Sequence, residues 1–183
     1  MSSLGSVALL SAPAWCAAGE LDRCAGLLAQ ARERLQATLP PGHPALGTLE
    51  TEEAQLELDR HRPAAAREHL RRALSIFDAA VEKNPNRLRA RTLLALADLQ
   101  LDDGPAARDD AKQAVAQARA ALAGFATSAW LGQALVAEGT AQRAQGDRAA
   151  AQASLREAGA QLRGALGEGA AATREAAALL ESL

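Results

Sequence analysis

A stripe of four side chains on one helical face recurs four times along this chain, and no other feature restricts its folding as strongly. Residues 146–162 read as a tight turn followed by a helix in which Ala151, Leu155, Ala158 and Leu162 share a face. Their offsets of 4, 3 and 4 residues match the period of an α-helix. Cys24, Leu28, Ala31 and Leu35 repeat those offsets, as do Ala66, Leu70, Ala73 and Phe77, and Ala107, Ala111, Ala114 and Ala118. The first members lie 41 to 44 residues apart, and twelve positions ahead of each stands another small residue: Ala12, Ala54, Ala95 or Gly139. Repetition at such a period marks an array of supersecondary units, each of which buries its apolar face only by stacking on the next.

Each copy divides into a helix A, a short turn and a helix B. The turns fall at residues 18–20, 60–63, 102–105 and 146–148, which supply Gly for a left-handed helix end or Pro for a first helical turn. Longer breaks separate the copies: LPPGHP at 39–44, NPN at 84–86 and GFATS at 124–128, where Ser128 is placed to cap a helix. Helices are therefore predicted over 6–18, 21–38, 45–60, 64–83, 87–102, 105–123, 129–145, 148–165 and 171–182. The last covers the apolar face that an array leaves open at its end. Pro13 falls inside the first helix, so that helix either starts late, with Ser11 as its cap, or kinks. This irregular first copy carries the expectation that the chain begins partway through a longer array.

Composition enters as a filter on function. Aromatic residues make up 2% of the chain, with no Tyr, against an abundance of Ala that suits close helix contact rather than a β-sandwich. Twenty basic and 22 acidic side chains give no electrostatic reason to expect nucleic acid, and no polybasic run addresses a membrane surface. No apolar run approaches the ~18 residues of a transmembrane helix. The start of the chain lacks a basic segment and its apolar run at 7–10 is short, so it reads as a first helix rather than a signal peptide. Cys16 and Cys24 read as two buried thiols in a reducing compartment, hence a cytoplasmic protein, with a disulfide or a metal site as the lesser alternatives. His43, His61 and His69 share no helix face, and no phosphate-cradling Gly loop is present. The expectation is no catalytic constellation, no cofactor and no metal. The charged residues at 50–53 and 67–72 read as a solvated face.

The small and large positions of the stripe resemble the tetratricopeptide repeat. That unit has a small residue at position 8, Ala at 20, a large apolar residue at 24 and Ala at 27. Here these are Ala54, Ala66, Leu70 and Ala73 in the second copy, and Gly139, Ala151, Leu155 and Ala158 in the fourth. The period near 42 and the Pro-Gly-His-Pro linker at 41–44 are similar to the kinesin-light-chain-like branch, which in bacteria often forms C-terminal arms of serine/threonine kinases and signalling regulators. The resemblance covers about residues 4–165, and departs from the pattern at Ala111, where a bulky residue is usual.

That resemblance implies an all-α fold, a right-handed α-α superhelix of four helix pairs plus a C-terminal capping helix. It implies a single domain over 1–183, with repeats at 5–39, 45–84, 87–124 and 129–165 and the cap at 171–182. The implied function is a non-enzymatic protein–protein interaction scaffold that binds a peptide or helix on its concave face. The alternative is a regulatory or sensory arm of a bacterial kinase or signalling regulator that acts by oligomerisation or ligand sensing. The partner is then another protein or peptide, or a further copy in a homo-oligomer. Carried over by position, the concave face comprises Thr51, Gln55, Leu58, Arg89, Thr92, Leu96, Leu99, Gln133, Val136, Thr140 and Arg143. The carboxylate clamp of chaperone-binding members is missing, because Thr51, Thr92 and Val136 stand where a Lys is needed. Trp15 and Trp130 read either as packing between copies or as anchors for a partner.

Overall fold

The computed structural model describes residues 3–80, 84–121 and 123–183. Among the described residues all regular structure is helical: α1 (Ser3–Ala17), α2 (Leu21–Thr38), α3 (Pro44–Asp59), α4 (Pro63–Ala79), α5 (Asn86–Gln100), α6 (Gly104–Ala121), α7 (Ala129–Ala144), α8 (Arg148–Leu166) and α9 (Ala171–Glu181). Their limits fall close to the predicted ones. The exception is the end of α4, where Ala80 is already extended; residues 81–83, expected to complete that helix, and residue 122, expected near the end of α6, lie outside the described residues.

The chain divides into two compact units, Met1–Leu93 and Leu94–Leu183. In the first, α1 packs on α2, α2 on α3 and α3 on α4, while α1 also reaches α3. In the second, α6 packs on α7, α7 on α8 and α8 on α9.

All sixteen stripe residues are buried, and so are Ala12, Ala54, Ala95 and Gly139. The reason is visible at Gly139, where an added Cβ would lie 2.7 Å from Leu155 Cγ and 3.3 Å from the Ala151 carbonyl oxygen. Helices A and B touch there with no room for a larger side chain. A second contact, absent from the sequence reading, lies two turns earlier. A Cβ on Gly47 would stand 2.7 Å from the Phe77 ring, one on Gly132 2.5 Å from Leu162 Cγ, and one on Gly5 3.0 Å from Arg34 Cβ. In the second and fourth copies the bulky residue that ends the helix-B stripe thus fills the notch of a glycine. In the third copy the corresponding positions hold Leu88 and Ala118, both buried.

The four A–B turns share one backbone design. Gly19, His61, Asp102 and Gly146, each five residues before the first stripe residue, have φ of 80°, 57°, 57° and 79°. At each, the N–H of the left-handed residue donates three residues back and the next N–H donates five back, as in Arg62 N to Glu57 O at 2.8 Å and Asp147 N to Gln142 O at 3.0 Å. This is the Schellman closure, which satisfies carbonyls that a helix end leaves orphaned. His61 and Asp102 adopt it against the ~1–2 kcal/mol preference of L-residues for the right-handed region. Ser128 caps α7 as expected, accepting from Leu131 N at 3.4 Å, and its own N–H donates to Gln161 Oε1 on α8 at 2.8 Å.

Two expectations for the first copy are corrected. α1 runs from Ser3 through Pro13 to Ala17, and Ser11 is no cap but a mid-helix residue whose hydroxyl donates to Val7 O at 2.8 Å. The buried row Ala8, Leu9, Ala12 and Cys16 holds the helix in place despite the N–H that Pro13 lacks. Cys16 and Cys24 are not free thiols. They form a disulfide, with Cα atoms 5.3 Å apart, because the A–B turn brings the end of α1 against the first turn of α2. The inference from free thiols to a reducing compartment falls with them, since a lasting disulfide fits oxidising surroundings. No described helix is long and apolar enough to cross a membrane.

Two stability measurements check these contacts. Gly132→Ala gains helix propensity worth about 1 kcal/mol but meets an overpacking cost of about 1–3 kcal/mol, so it lowers the thermal midpoint. Gly26→Ala, whose Cβ meets nothing within 4 Å, raises it. Replacing the disulfide by Cys16→Ser with Cys24→Ala lowers stability by about 2–3 kcal/mol, the value for a loop this short; the urea midpoint of the native chain with and without a dithiol reductant reads the same loss.

Candidate functional site

Eleven helix-A residues were expected to line a groove, and the structure sorts them into committed and available groups. Thr51 and Thr92 are buried, and their hydroxyls donate to the carbonyls one turn back, Gly47 O at 2.8 Å and Leu88 O at 3.0 Å. Neither hydroxyl is presented outward. Leu58 is buried as well. Gln55 donates to Asp59 Oδ1 at 2.9 Å on its own helix. Arg89 of α5 makes a two-pronged pair with Glu52 of α3, and Asn86 Nδ2 donates to Thr48 Oγ1 at 3.0 Å beside it. In the first unit, then, the helix-A face is largely tied up with itself.

The second unit differs. Gln133 is exposed, and Leu96, Leu99, Val136 and Thr140 are half-buried. The Thr140 hydroxyl donates to Val136 O at 2.8 Å. Arg143 is exposed and donates to Ser182 Oγ at 2.8 Å, which draws the end of α9 to the end of α7. α7 therefore carries Val136 on one face with the Gln133 amide and the Arg143 guanidinium. Trp130, partly exposed, stands at the start of that helix. Trp15 is half-buried with the Arg23 guanidinium stacked 3.6 Å over its ring, so it serves packing in the first copy.

Of the charged residues at 50–53 and 67–72, expected to be solvated, Glu68, Arg71 and Arg72 are exposed, but Glu50 and Glu53 join His69, Arg72 and Arg32 in a partly buried network across α2, α3 and α4. Glu50 is 7% exposed. Its Oε1 accepts from Arg32 Nη2 at 2.7 Å, and its Oε2 accepts from Arg72 Nε at 2.9 Å and from His69 Nδ1 at 2.7 Å. Arg32 also grips Glu53 through Nε at 2.8 Å and through Nη2. Burial alone would push the Glu50 carboxyl up, but the bonds from His69, Arg32 and Arg72 and the charge of Arg32 outweigh it and hold the pKa at about 2. The hydrogen bond to Glu53 keeps Arg32 above its ordinary value, against the opposing effect of burial. Atoms of Glu50, Glu53 and His69 lie within 4.8 Å of one another, a spacing open to a metal. Arg32 and Arg72 already supply the positive charge there, so the cluster acts as a clasp between three helices. The sequence held the signal, Glu50 and Glu53 on one face of helix A with His69 and Arg72 three apart on helix B, but not the Arg32 that completes it from the preceding copy. With both cysteines in a disulfide, Cys16 offers no thiolate nucleophile.

No family model and no curated protein matches this chain. Solved structures do. A Podosopora anserina putative kinesin light chain with nearly identical TPR-like repeats aligns over all of this chain and 86% of its own, at 19% identity and a TM-score of 0.75. A form of the same protein with one substitution aligns over 99% of this chain and 84% of its own, at 20% identity and a TM-score of 0.74. The fold is thus that of a tetratricopeptide-like helical repeat, similar to the kinesin-light-chain type.

The network makes a signed prediction. The folded-state pKa of Glu50 is depressed from an ordinary 4.5 to about 2. Its contribution, on the order of 2–3 kcal/mol, is complete above about pH 4.5 and is lost as pH falls toward 2. Glu50→Gln is expected to flatten that part of the stability–pH curve of the native chain, followed by urea unfolding at a series of pH values.

Proposed function

We propose that this chain is a protein–protein interaction module and that helices A of its second unit receive an extended peptide or an amphipathic helix. Helical repeats use such faces as extended binding surfaces. The observation that carries the reading is the contrast between the two units. In the first, the threonines and Arg89 are committed to partners within the chain. In the second, Gln133 is exposed and Leu96, Leu99 and Val136 are half-buried, which leaves apolar surface and an outward amide, while Thr140 and Arg143 hold bonds to Val136 O and Ser182 Oγ. A ligand here is read by apolar side chains at helical or alternate spacing, with Gln133 and Arg143 meeting its carbonyl or carboxylate groups. The even balance of acidic and basic residues supports a protein partner over nucleic acid or an anionic membrane.

Amphipathic peptides titrated against the Trp130 emission test this. Binding is expected for an apolar peptide with an acidic end. Leu99→Glu weakens it by at least about tenfold, as loss of an interface anchor does. Thr92→Val leaves it unchanged, because that hydroxyl is already bonded to Leu88 O. A Leu99→Glu protein that folds and binds as the native chain does removes the groove from consideration.

A further inference from the structure

Within the first unit α1 is attached differently from its neighbours. Side-chain bonds join the other helices: Arg32 of α2 grips Glu50 and Glu53 of α3, and His69 and Arg72 of α4 meet Glu50. Among the described residues no α1 side chain makes such a bond to another helix, and Ser11 donates only within α1, to Val7 O and Ala8 O. The described contacts that hold α1 are the buried row of Ala8, Leu9, Ala12 and Cys16, the Arg23 guanidinium on Trp15, and the disulfide. That row contains one leucine, where α3 buries Leu49, Leu56 and Leu58. The opposite side of α1, with Val7, Leu10, Ala14 and Ala17, is exposed. Nor does the A–B turn itself need a sulfur bridge. The positions of Cys16 and Cys24 are held by Leu58 and Ala66, Leu99 and Ala107, and Arg143 and Ala151 in the other copies, whose turns close through the same backbone bonds.

We infer that the Cys16–Cys24 disulfide is a redox latch: it holds α1 on the first unit while oxidised, and its reduction by a dithiol lets α1 open alone, baring Leu28, Leu35, Leu49 and Leu56. Two effects act together. Cys24, 1% exposed, sits at the close crossing of α1 and α2, with its Cα 5.3 Å from that of Cys16. Reduction leaves two thiols that need van der Waals separation in a packed interior, so the crossing must widen or a sulfur must turn out of it. Reduction also frees the open state from a closed loop with a sequence separation of 8 residues, which favours opening by roughly fifty- to a hundredfold. The chemistry has a point of entry. Cys16, 9% exposed, adjoins the exposed residues 17–20. A thiolate of the dithiol attacks Cys16 Sγ, the S–S bond breaks, and Cys24 leaves as a thiolate that takes up a proton. The second thiol of the reductant then attacks its own sulfur in the mixed disulfide, closes a cyclic disulfide and releases Cys16. Two electrons pass from the dithiol to the protein. The latch uses no residue of the second unit and stands independently of the proposed peptide site.

Alkylation of Cys24 by iodoacetamide in the dithiothreitol-reduced full chain, read by peptide mass, tests the inference across urea concentrations below the unfolding transition. A helix that opens alone exposes little surface, so the rate is expected to rise with urea at less than about a third of the slope of global unfolding. Hydrogen exchange gives a second reading. Reduction is expected to speed exchange of the α1 amides roughly fifty- to a hundredfold, and in the reduced chain they exchange at least about tenfold faster than the slowest amides of α3 and α4. Cys16→Leu with Cys24→Ala, which copies the pairing of Leu58 with Ala66, is expected to show α1 exchange indifferent to dithiothreitol. Alkylation that tracks global unfolding makes the bridge a staple of the whole unit, and alkylation without urea dependence means that Cys24 is reached with α1 in place. Either result overturns the proposal, as does α1 exchange that is unchanged by reduction or that responds to dithiothreitol in the sulfur-free variant.

Discussion

The close approach of helix A to helix B is the constraint on which everything else in this chain depends. Two helical axes can come near only where side chains at the crossing are small, and the chain meets that requirement with Ala12, Ala54, Ala95 and Gly139 facing Cys24, Ala66, Ala107 and Ala151. Once the crossing is set, the neighbouring positions must be filled to interior density. Leu28, Leu70 and Leu155 fill one side, and Phe77 and Leu162 fill the glycine notches on the other. The left-handed turn residue five positions before each crossing follows from the same geometry, since the chain must reverse within two or three residues to bring helix B back at that distance. Even His61 and Asp102 accept an unfavourable backbone angle there.

Helix pairs built this way still have to be joined to one another, and in the first unit a buried ion network does much of that. Glu50 reaches back to Arg32 on the preceding helix B and forward to His69 and Arg72 on its own. Buried charges are costly unless fully paired, and here each Glu50 oxygen has a cationic or N–H partner. Such a network fixes which helix lies against which, a selectivity that alanine contacts alone do not provide. The second unit relies instead on contacts such as Arg108 Nη1 donating to Gln145 Oε1 at 2.7 Å and the Arg119–Glu157 ion pair between α6 and α8 at 2.8 Å.

Most of the fold was legible because helical repetition writes the same requirement several times. The stripe, the A–B turns, the Ser128 cap and, apart from the end of α4, the limits of the described helices follow from the sequence pattern. What escaped depends on residues that meet only in three dimensions. Nothing near Gly47 announces Phe77 thirty residues on. Pro13 reads locally as the mark of a late helix start, and the packing of α1 overrides that preference. The disulfide is invisible to spacing, because linear order does not say how near the A–B turn brings the end of α1 to the start of α2. The proposed binding face is the least legible part: family position puts Thr51 and Thr92 on it, while their hydroxyls are bonded within their own helices.

The disulfide between α1 and α2 also closes a small covalent ring around the first A–B turn. Residues 17–20 at its rim are exposed and hold the left-handed Gly19, the sort of segment that proteases reach first. A cut there does not free the leading helix, because the sulfur bridge spans the nick. The cleaved molecule stays in one piece and keeps its outer hydrophobic row on display until a thiol reagent separates the fragments.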